Sequence, residues 1–352
     1  MKFFLLMLLS MTELTAQVVK WDGFLDTYYA YDVNRPKKFE REYTTQPVRT
    51  DEFNINLAYI GARLEKEKIR GRIALQWGNS VTKNTVFEPK NGATSGQNEG
   101  KIFQEAYAGY KLNEKTWIDA GIYLGHIGME SWISRDNLTY SRSMNLDYVP
   151  YYSAGVRLEH VYNTRQKFQV HLMNGWQNIS ENNRAKAIGL QYEHRINQDS
   201  IFTYNNFLGD EQVVSDRPRM RGYHNFILKN KLNQNWDWHG SFDIAHQAHQ
   251  SKPGVVGWYA LSQVISYSLE KTKRYSARFE YYSDPHQANI VTKTKNGFQV
   301  ASVSINRDQY LDENLLWRCE IRGFRSKDRI YPLSNSLSQT DLYLATSFSL
   351  NL

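Results

Sequence analysis

The sequence holds a single cysteine, Cys319, and only 8 prolines among 352 residues. One thiol excludes an internal disulfide and any multi-thiolate metal site. Scarce proline alongside 14% aromatic residues excludes a disordered chain. Beyond the N-terminus no apolar run approaches the about 20 residues that a spanning helix needs. With a mean hydropathy of −0.62, that excludes a helical membrane protein. The formal charge of +7 is spread along the chain without a basic block or zinc spacing, so no nucleic-acid role is expected. Gly-x-Ser-x-Gly, His-Glu-x-x-His and the Walker phosphate loop are all missing. What is abundant is aromatic: 24 Tyr, 16 Phe and 9 Trp, an odd load for so polar a chain.

Residues 1–16, MKFFLLMLLSMTELTA, have the order of a secretory signal peptide. Lys2 precedes an apolar run from Phe3 to Leu9, and the small residues Thr15 and Ala16 precede Gln17, which predicts cleavage after Ala16. The run is too short to serve as a membrane anchor. The expected division is a signal peptide over 1–16 and one domain over 17–352.

That domain repeats one pattern, about ten residues of alternating polar and apolar character followed by a polar break. In TWIDAGIYLG (116–125), Ile118, Ala120, Ile122 and Leu124 share one parity, while Asp119, Gly121 and Tyr123 share the other. Period two is the strand signal, because successive side chains point to opposite faces. WDWHGSFDIA (236–245) and the C-terminal LYLATSFSLNL behave alike. About sixteen strands are expected, near 18–34, 52–65, 69–79, 101–112, 116–128, 151–162, 167–178, 185–196, 200–210, 222–232, 236–249, 255–270, 273–284, 297–307, 313–326 and 339–352.

The breaks alternate in length. Tight ones include Glu67–Lys68, Asn113–Lys115 and Lys271–Thr272; long ones include 35–51, 80–100, 129–150, 211–221, 285–296 and 327–338. The break at 308–312 reads as looser than the short series. Short turns on one side and long loops on the other mark an all-β transmembrane antiparallel up-and-down β-barrel, with short periplasmic turns and long extracellular loops. An even, closed count leaves no unpaired edge in hydrocarbon. Aromatic pairs at strand ends, such as Tyr151–Tyr152 and Tyr281–Tyr282, fit girdles at the membrane–water boundary. The competing architecture is a soluble β-sandwich or propeller, against which stand strand length, aromatic density and loop asymmetry.

If the apolar parity faces lipid, the other parity puts charges inside: Arg70, Arg72, Glu105, Asp119, Arg157, Glu159, Glu193, Asp237, Asp243, Arg278, Glu280, Arg318, Glu320 and Arg322. A lipid-facing Arg or Lys at the midplane would cost about 2–4 kcal/mol. So many mid-strand charges are tolerable only around water or in mutual pairs. A sixteen-stranded barrel is wide enough for an aqueous channel, although such pairs would equally brace a plugged one.

WDGFLDTYYAYDVN (21–34), GMESWISRDNLTYSRSMNLDYVPYYSAGVRLEH (128–160) and NGWQNISENNRAKAIGLQYEH (174–194) resemble the OmpL-like β-barrel porins of diderm bacteria. The resemblance covers most of the mature chain. It implies an outer-membrane porin, a water-filled channel for passive diffusion of small hydrophilic solutes or ions, without naming the solute. In general porins the loop after the fifth strand folds inward, and the resemblance implies the same for 129–150. Glu130, Asp136 and Asp147 on that loop would then oppose Arg70, Arg72, Arg157, Arg318 and Arg322 in a transverse field. The chain ends Ser349-Leu350-Asn351-Leu352 instead of in an aromatic residue, with Phe348 on the same face as Leu352.

A non-conducting barrel acting as a surface receptor or adhesin is the alternative function. A barrel hydrolase ranks lower. His246 and His249 form the nearest histidine cluster, yet their odd spacing puts the rings on opposite faces of a strand, which is poor metal geometry. No catalytic residue, metal or cofactor is expected. The expected partners are outer-membrane lipids and small hydrophilic solutes, and a homotrimer is compatible with the resemblance.

Overall fold

The computed structural model describes residues 19–86, 102–181, 183–211, 218–249 and 253–352. The expected signal peptide and most of the loop expected at 80–100 lie outside the described residues. The strands are β1 (Val19–Asp32), β2 (Phe53–Glu65), β3 (Ile69–Trp77), β4 (Phe103–Asn113), β5 (Thr116–Leu124), β6 (Tyr152–Asn163), β7 (Gln166–Met173), β8 (Ala187–Arg195) and β9 (Ser200–Asp210). There follow β10 (Met220–Lys231), β11 (Trp236–Ala248), β12 (Val255–Glu270), β13 (Lys273–Asp284), β14 (Phe298–Tyr310), β15 (Leu315–Ser326), the two-residue β16 (Tyr331–Pro332) and β17 (Leu337–Ser338), and β18 (Thr340–Asn351). Two short helices, α1 (Asn79–Asn84) and α2 (Met144–Asp147), lie in loops.

β1 to β15 and β18 form one closed antiparallel barrel of sixteen strands, in which each strand pairs with its chain neighbour and β18 returns to β1. Closure runs from Phe24↔Asn351 to Asp32↔Tyr343. Every backbone edge is therefore paired, the condition for crossing hydrocarbon. One irregularity sits in β2, where Asp26 pairs with Leu57 and Thr27 with Ile55. The skipped Asn56 turns its amide to Asp26 Oδ2 at 2.8 Å.

The two faces follow the sequence parity. Ile73, Ile188, Val303, Ile305 and Leu344 are outside and exposed, while the alternating positions Asp119, Asn225, Asp243, Ser302 and Asn306 are buried inside. An apolar outer band around a polar interior is what lipid on one side and water on the other select. The break expected to be loose at 308–312 is tight: β14 continues to Tyr310, and Leu311 and Asp312 both donate to the Leu315 carbonyl, at 2.9 and 3.2 Å. On the loop side three strands stop short of expectation, at Trp77, Leu124 and Met173. After Trp77 the backbone enters the left-handed region at Gly78 (φ 130°) and turns into α1. After Leu124 the chain turns into the barrel.

Candidate functional site: the lumen and its inserted loop

Residues 125–151, between β5 and β6, fold into the lumen. The loop's path is fixed by hydrogen bonds to the inner wall. His126 Nε2 lies 2.8 Å from the Asn206 carbonyl of β9, and the Gly128 amide donates to Asn225 of β10 at 3.3 Å. Ser134 Oγ donates to Asp26 of β1 at 2.9 Å. Farther along, the Ser141 amide donates to Glu320 at 2.6 Å, the Met144 amide to Glu280 at 2.6 Å, and the Asn145 amide group to Ser241 at 2.8 Å. Loop 33–52 packs on it from the chain's other long crossing, with the Gln46 amide group donating to the Tyr140 carbonyl at 2.9 Å.

The inward charges form two networks. On β13 and β15, Arg278 pairs with Glu280 and Glu320, both at 3.1 Å, and Arg322 with Glu280 at 2.6 Å. Arg278 also donates to the Ser141 carbonyl at 2.6 Å, and Arg322 to the Arg142 carbonyl at 2.8 Å. Nearby, Arg318 pairs with Asp308 at 2.7 Å and donates to the Asn137 carbonyl at 3.0 Å. The loop seals this network, and the side chains of Arg278, Arg318 and Glu320 have no exposure at all.

The second network lies on β3 to β7. Asp119 receives Arg70 at 2.6 Å and Arg157 at 2.7 Å, and Arg70 reaches on to Glu159 at 3.1 Å. Arg72 pairs with Glu105 at 2.5 Å and with Asp22 of β1 at 2.7 Å. Here water retains access: the side chains of Arg70, Arg157 and Glu159 are 15–18% exposed. The guanidinium of Arg157 lies 4.7 Å from the Tyr123 ring and that of Arg70 4.7 Å from Trp117.

The loop carboxylates are arranged differently from a bare transverse field. Glu130 pairs with Arg278 at 3.3 Å, Asp147 faces Arg142 of its own loop at 3.7 Å, and Asp136 is exposed. None of the three is ion-paired, among the described residues, with Arg70, Arg72, Arg157, Arg318 or Arg322, because each of those arginines has a wall carboxylate. Burial raises the Asp147 carboxyl above its ordinary range, with Arg142 and the Thr45 hydroxyl opposing that effect. Burial also pushes His126 down to about 4, and its ring stacks on His171 with centroids 4.1 Å apart.

Several inward charges escape sequence reasoning. Asp308 falls in the break expected at 308–312, a position that hides it as the partner of Arg318. Asp22 and Asp26 sit among the aromatics of β1, where the tyrosines dominate the pattern. Arg41 of loop 33–52 is buried between Asp32 at 3.2 Å and Asp341 at 2.7 Å, a contact that no local spacing announces.

A closed sixteen-stranded barrel with an apolar exterior and a charged, loop-narrowed interior defines an outer-membrane β-barrel of the channel-forming class. The particular family follows from the sequence: the chain matches "Putative beta-barrel porin-2, OmpL-like" over residues 18–350 and belongs to that family of outer-membrane channels. Solved barrels share the fold at low identity. The anion-selective porin from Comamonas acidovorans is 8% identical with a TM-score of 0.61, covering 95% of this chain and 99% of its own. In-vitro folded OmpT of Vibrio cholerae in its trimer form is 9% identical, with a TM-score of 0.59 and coverage of 95% and 99%. The outer membrane channel DcaP of Acinetobacter baumannii is 9% identical, with a TM-score of 0.59 and coverage of 94% and 97%. A search of curated protein sequences returns no match.

Proposed function

We propose that the barrel conducts small hydrophilic solutes and ions by passive diffusion along the arc between the inserted loop and β3 to β7. Arg70, Arg157, Glu159 and Glu105 line this route, with the buried Asp119 and Arg72 holding them in place from behind. Supporting the reading is the contrast in solvent access between the two networks, 15–18% for Arg70, Arg157 and Glu159 against 0–1% for Arg278, Glu280, Arg318, Glu320 and Arg322. The sealed network, with Glu130 and Asp147, anchors the loop and does not itself contact solute. Asp136 faces solvent at the loop's edge.

Charges of both signs alternate along the route, so it orients dipolar solutes more than it excludes one ion. The reading gives the barrel no catalytic step and no cofactor. Export by residues 1–16 followed by insertion of 17–352 as one domain completes it, with outer-membrane lipid against the apolar band. A homotrimer fits the same reading, as one similar barrel is described in a trimer form.

The test is single-channel conductance of the full-length mature protein in planar bilayers. Discrete open steps with measurable ion flux are expected. The competing reading, a non-conducting receptor or adhesin barrel, draws on the dense packing of the loop against β13 to β15. Silent bilayers containing folded barrel would favour it over the channel.

A further inference from the structure

Arg221 of β10 points into the lumen on the extracellular side, away from both ion-pair networks. It is 93% buried in relative terms, at 7% exposure, yet among the described residues no carboxylate is ion-paired with it. Its Nε donates to Gln247 Oε1 of β11 at 2.6 Å. Its guanidinium lies between two indoles, 4.8 Å from Trp176 and 5.5 Å from Trp258 of β12. Phe207 and Tyr223 close the aromatic wall, with ring centroids 4.8 and 5.0 Å from Trp176.

The neighbouring orphans are all donors. Gln247 Nε2, Trp258 Nε1 and Arg219 Nε are buried and have no hydrogen-bond partner among the described residues. Gln247 is fully buried and Trp258 2% exposed. The register places these groups side by side, with Arg221 opposite Gln247, and Trp258 opposite Ala245 two residues away on β11. A buried guanidinium beside orphaned N–H groups leaves several donors without an acceptor, each a cost that a native wall normally avoids.

The nearby carboxylates are otherwise engaged. Glu211 accepts the Trp176 amide at 3.0 Å; burial raises its carboxyl, the Arg221 charge opposes that effect across the gap, and the two groups form no ion pair. Asp284 accepts the backbone amides of Ala288, Asn289 and Ile290 at 2.8–2.9 Å.

From this arrangement we infer that Arg221, Gln247 and Trp258 form a binding subsite for the oxyanion group of a solute entering from outside. A planar guanidinium with flanking N–H donors matches a carboxylate or phosphate in fork geometry. The flanking indoles favour a solute that carries an apolar or aromatic body next to the anion. Lipid head groups do not reach an inner-wall site, so the ligand is a dissolved solute. The inference uses the channel reading only for the route of entry, and binding itself requires no conduction.

The experiment titrates inorganic phosphate and, separately, benzoate into the full-length mature barrel in detergent. Tryptophan fluorescence is the readout, since Trp176 and Trp258 flank the site. A saturable change with at least one probe is expected, weakened at least tenfold by Arg221→Gln. Gln247→Leu, which removes an orphan donor without touching the cation, should weaken the same probe several-fold. Arg325→Gln, on the outer face of β15, should leave binding unchanged. Heat-modifiable gel migration confirms that each variant is folded. No saturable change with either probe, or binding that survives both Arg221→Gln and Gln247→Leu, overturns the subsite. Conductance without such binding leaves the channel reading intact, and binding in silent bilayers leaves the subsite intact.

Discussion

Arg278→Met tests how the inserted loop is held. The guanidinium donates to the Ser141 carbonyl and hydroxyl, both at 2.6 Å, and to the Thr139 hydroxyl at 2.9 Å. It also neutralises Glu130, Glu280 and Glu320, whose side chains are at most 6% exposed. Methionine keeps much of the stem volume but removes the one ion-pair partner that Glu130 and Glu320 have among the described residues, while Glu280 keeps Arg322 at 2.6 Å. Breaking a buried pair from one side costs about 3–5 kcal/mol, because the surviving charge is left without a counter-ion. At 1.4 kcal/mol per tenfold, the released loop becomes roughly 10²- to 4 × 10³-fold more populated. Two assays read this: single-channel recording, and trypsin cleavage at Arg135 or Arg142 in proteoliposomes, located by mass. Frequent transitions to a larger conductance level and faster cleavage are expected, with heat-modifiable migration retained. A folded variant with wild-type conductance and wild-type protease resistance would refute the claim that this network holds the loop.

Neutralising the open arc in Arg70→Gln/Arg157→Gln should shift ion selectivity toward cations in planar bilayers, since Asp119 and Glu159 lose their counter-charges; an unchanged reversal potential would count against the proposed route. His126, held near 4 by burial, next to Arg157 and stacked on His171, is depressed in the folded state. Its stabilisation is therefore fully present above pH 6.5 and is lost as pH falls through about 4. Loop docking, read by the same trypsin assay with a pH-matched control substrate, should hold above that range and weaken within it, and His126→Gln should flatten the profile. Gly121 has φ 135°, and an added Cβ would meet the Ala106 carbonyl oxygen at 2.2 Å. Gly121→Ala should destabilise the barrel by about 2–4 kcal/mol in urea titrations in detergent, whereas Gly323→Ala, with its nearest side-chain atom at 3.7 Å, should be close to neutral.

The barrel was legible because its determinant is local. Strand formation against lipid on one face and water on the other imprints period two on each segment, and TWIDAGIYLG carries that imprint by itself. Boundaries slipped where a non-local event ended the strand: the chain leaves the wall after Leu124 because the next residues bond to β9 and β10, nothing that residues 125–128 announce. Inward parity was likewise readable for Arg70, Asp119, Arg278 and Arg322. Whether an inward charge meets water or another group was not, because the loop that covers Arg278 comes from 148 residues earlier in the chain at Glu130. Arg221 shows the same limit. It falls in the break expected at 211–221, whereas the strand begins at Met220, and its indole neighbours Trp176 and Trp258 and its hydrogen-bond partner Gln247 come from three other segments of the chain.

The composition of the inserted loop explains how it narrows the lumen without adding a strong fixed charge. Residues 131–145, SWISRDNLTYSRSMN, are rich in Ser, Thr and Asn and carry only Arg135, Asp136 and Arg142 as charges. Facing the wall, they offer carbonyls of Asn137, Ser141 and Arg142 to arginines, and amides of Ser141 and Met144 to glutamates. Backbone dipoles thus replace the water that a buried wall charge would otherwise lose at a cost of several kcal/mol. Since these dipoles cancel charges of both signs equally, the anchored arc contributes little net field. Under the proposed route, the discrimination left to the channel then falls on two places where charge stays accessible or unpaired, the Arg70–Asp119–Arg157 cluster and Arg221. Selectivity should therefore respond to substitutions at those two places far more than to equal charge changes beneath the loop that leave it docked.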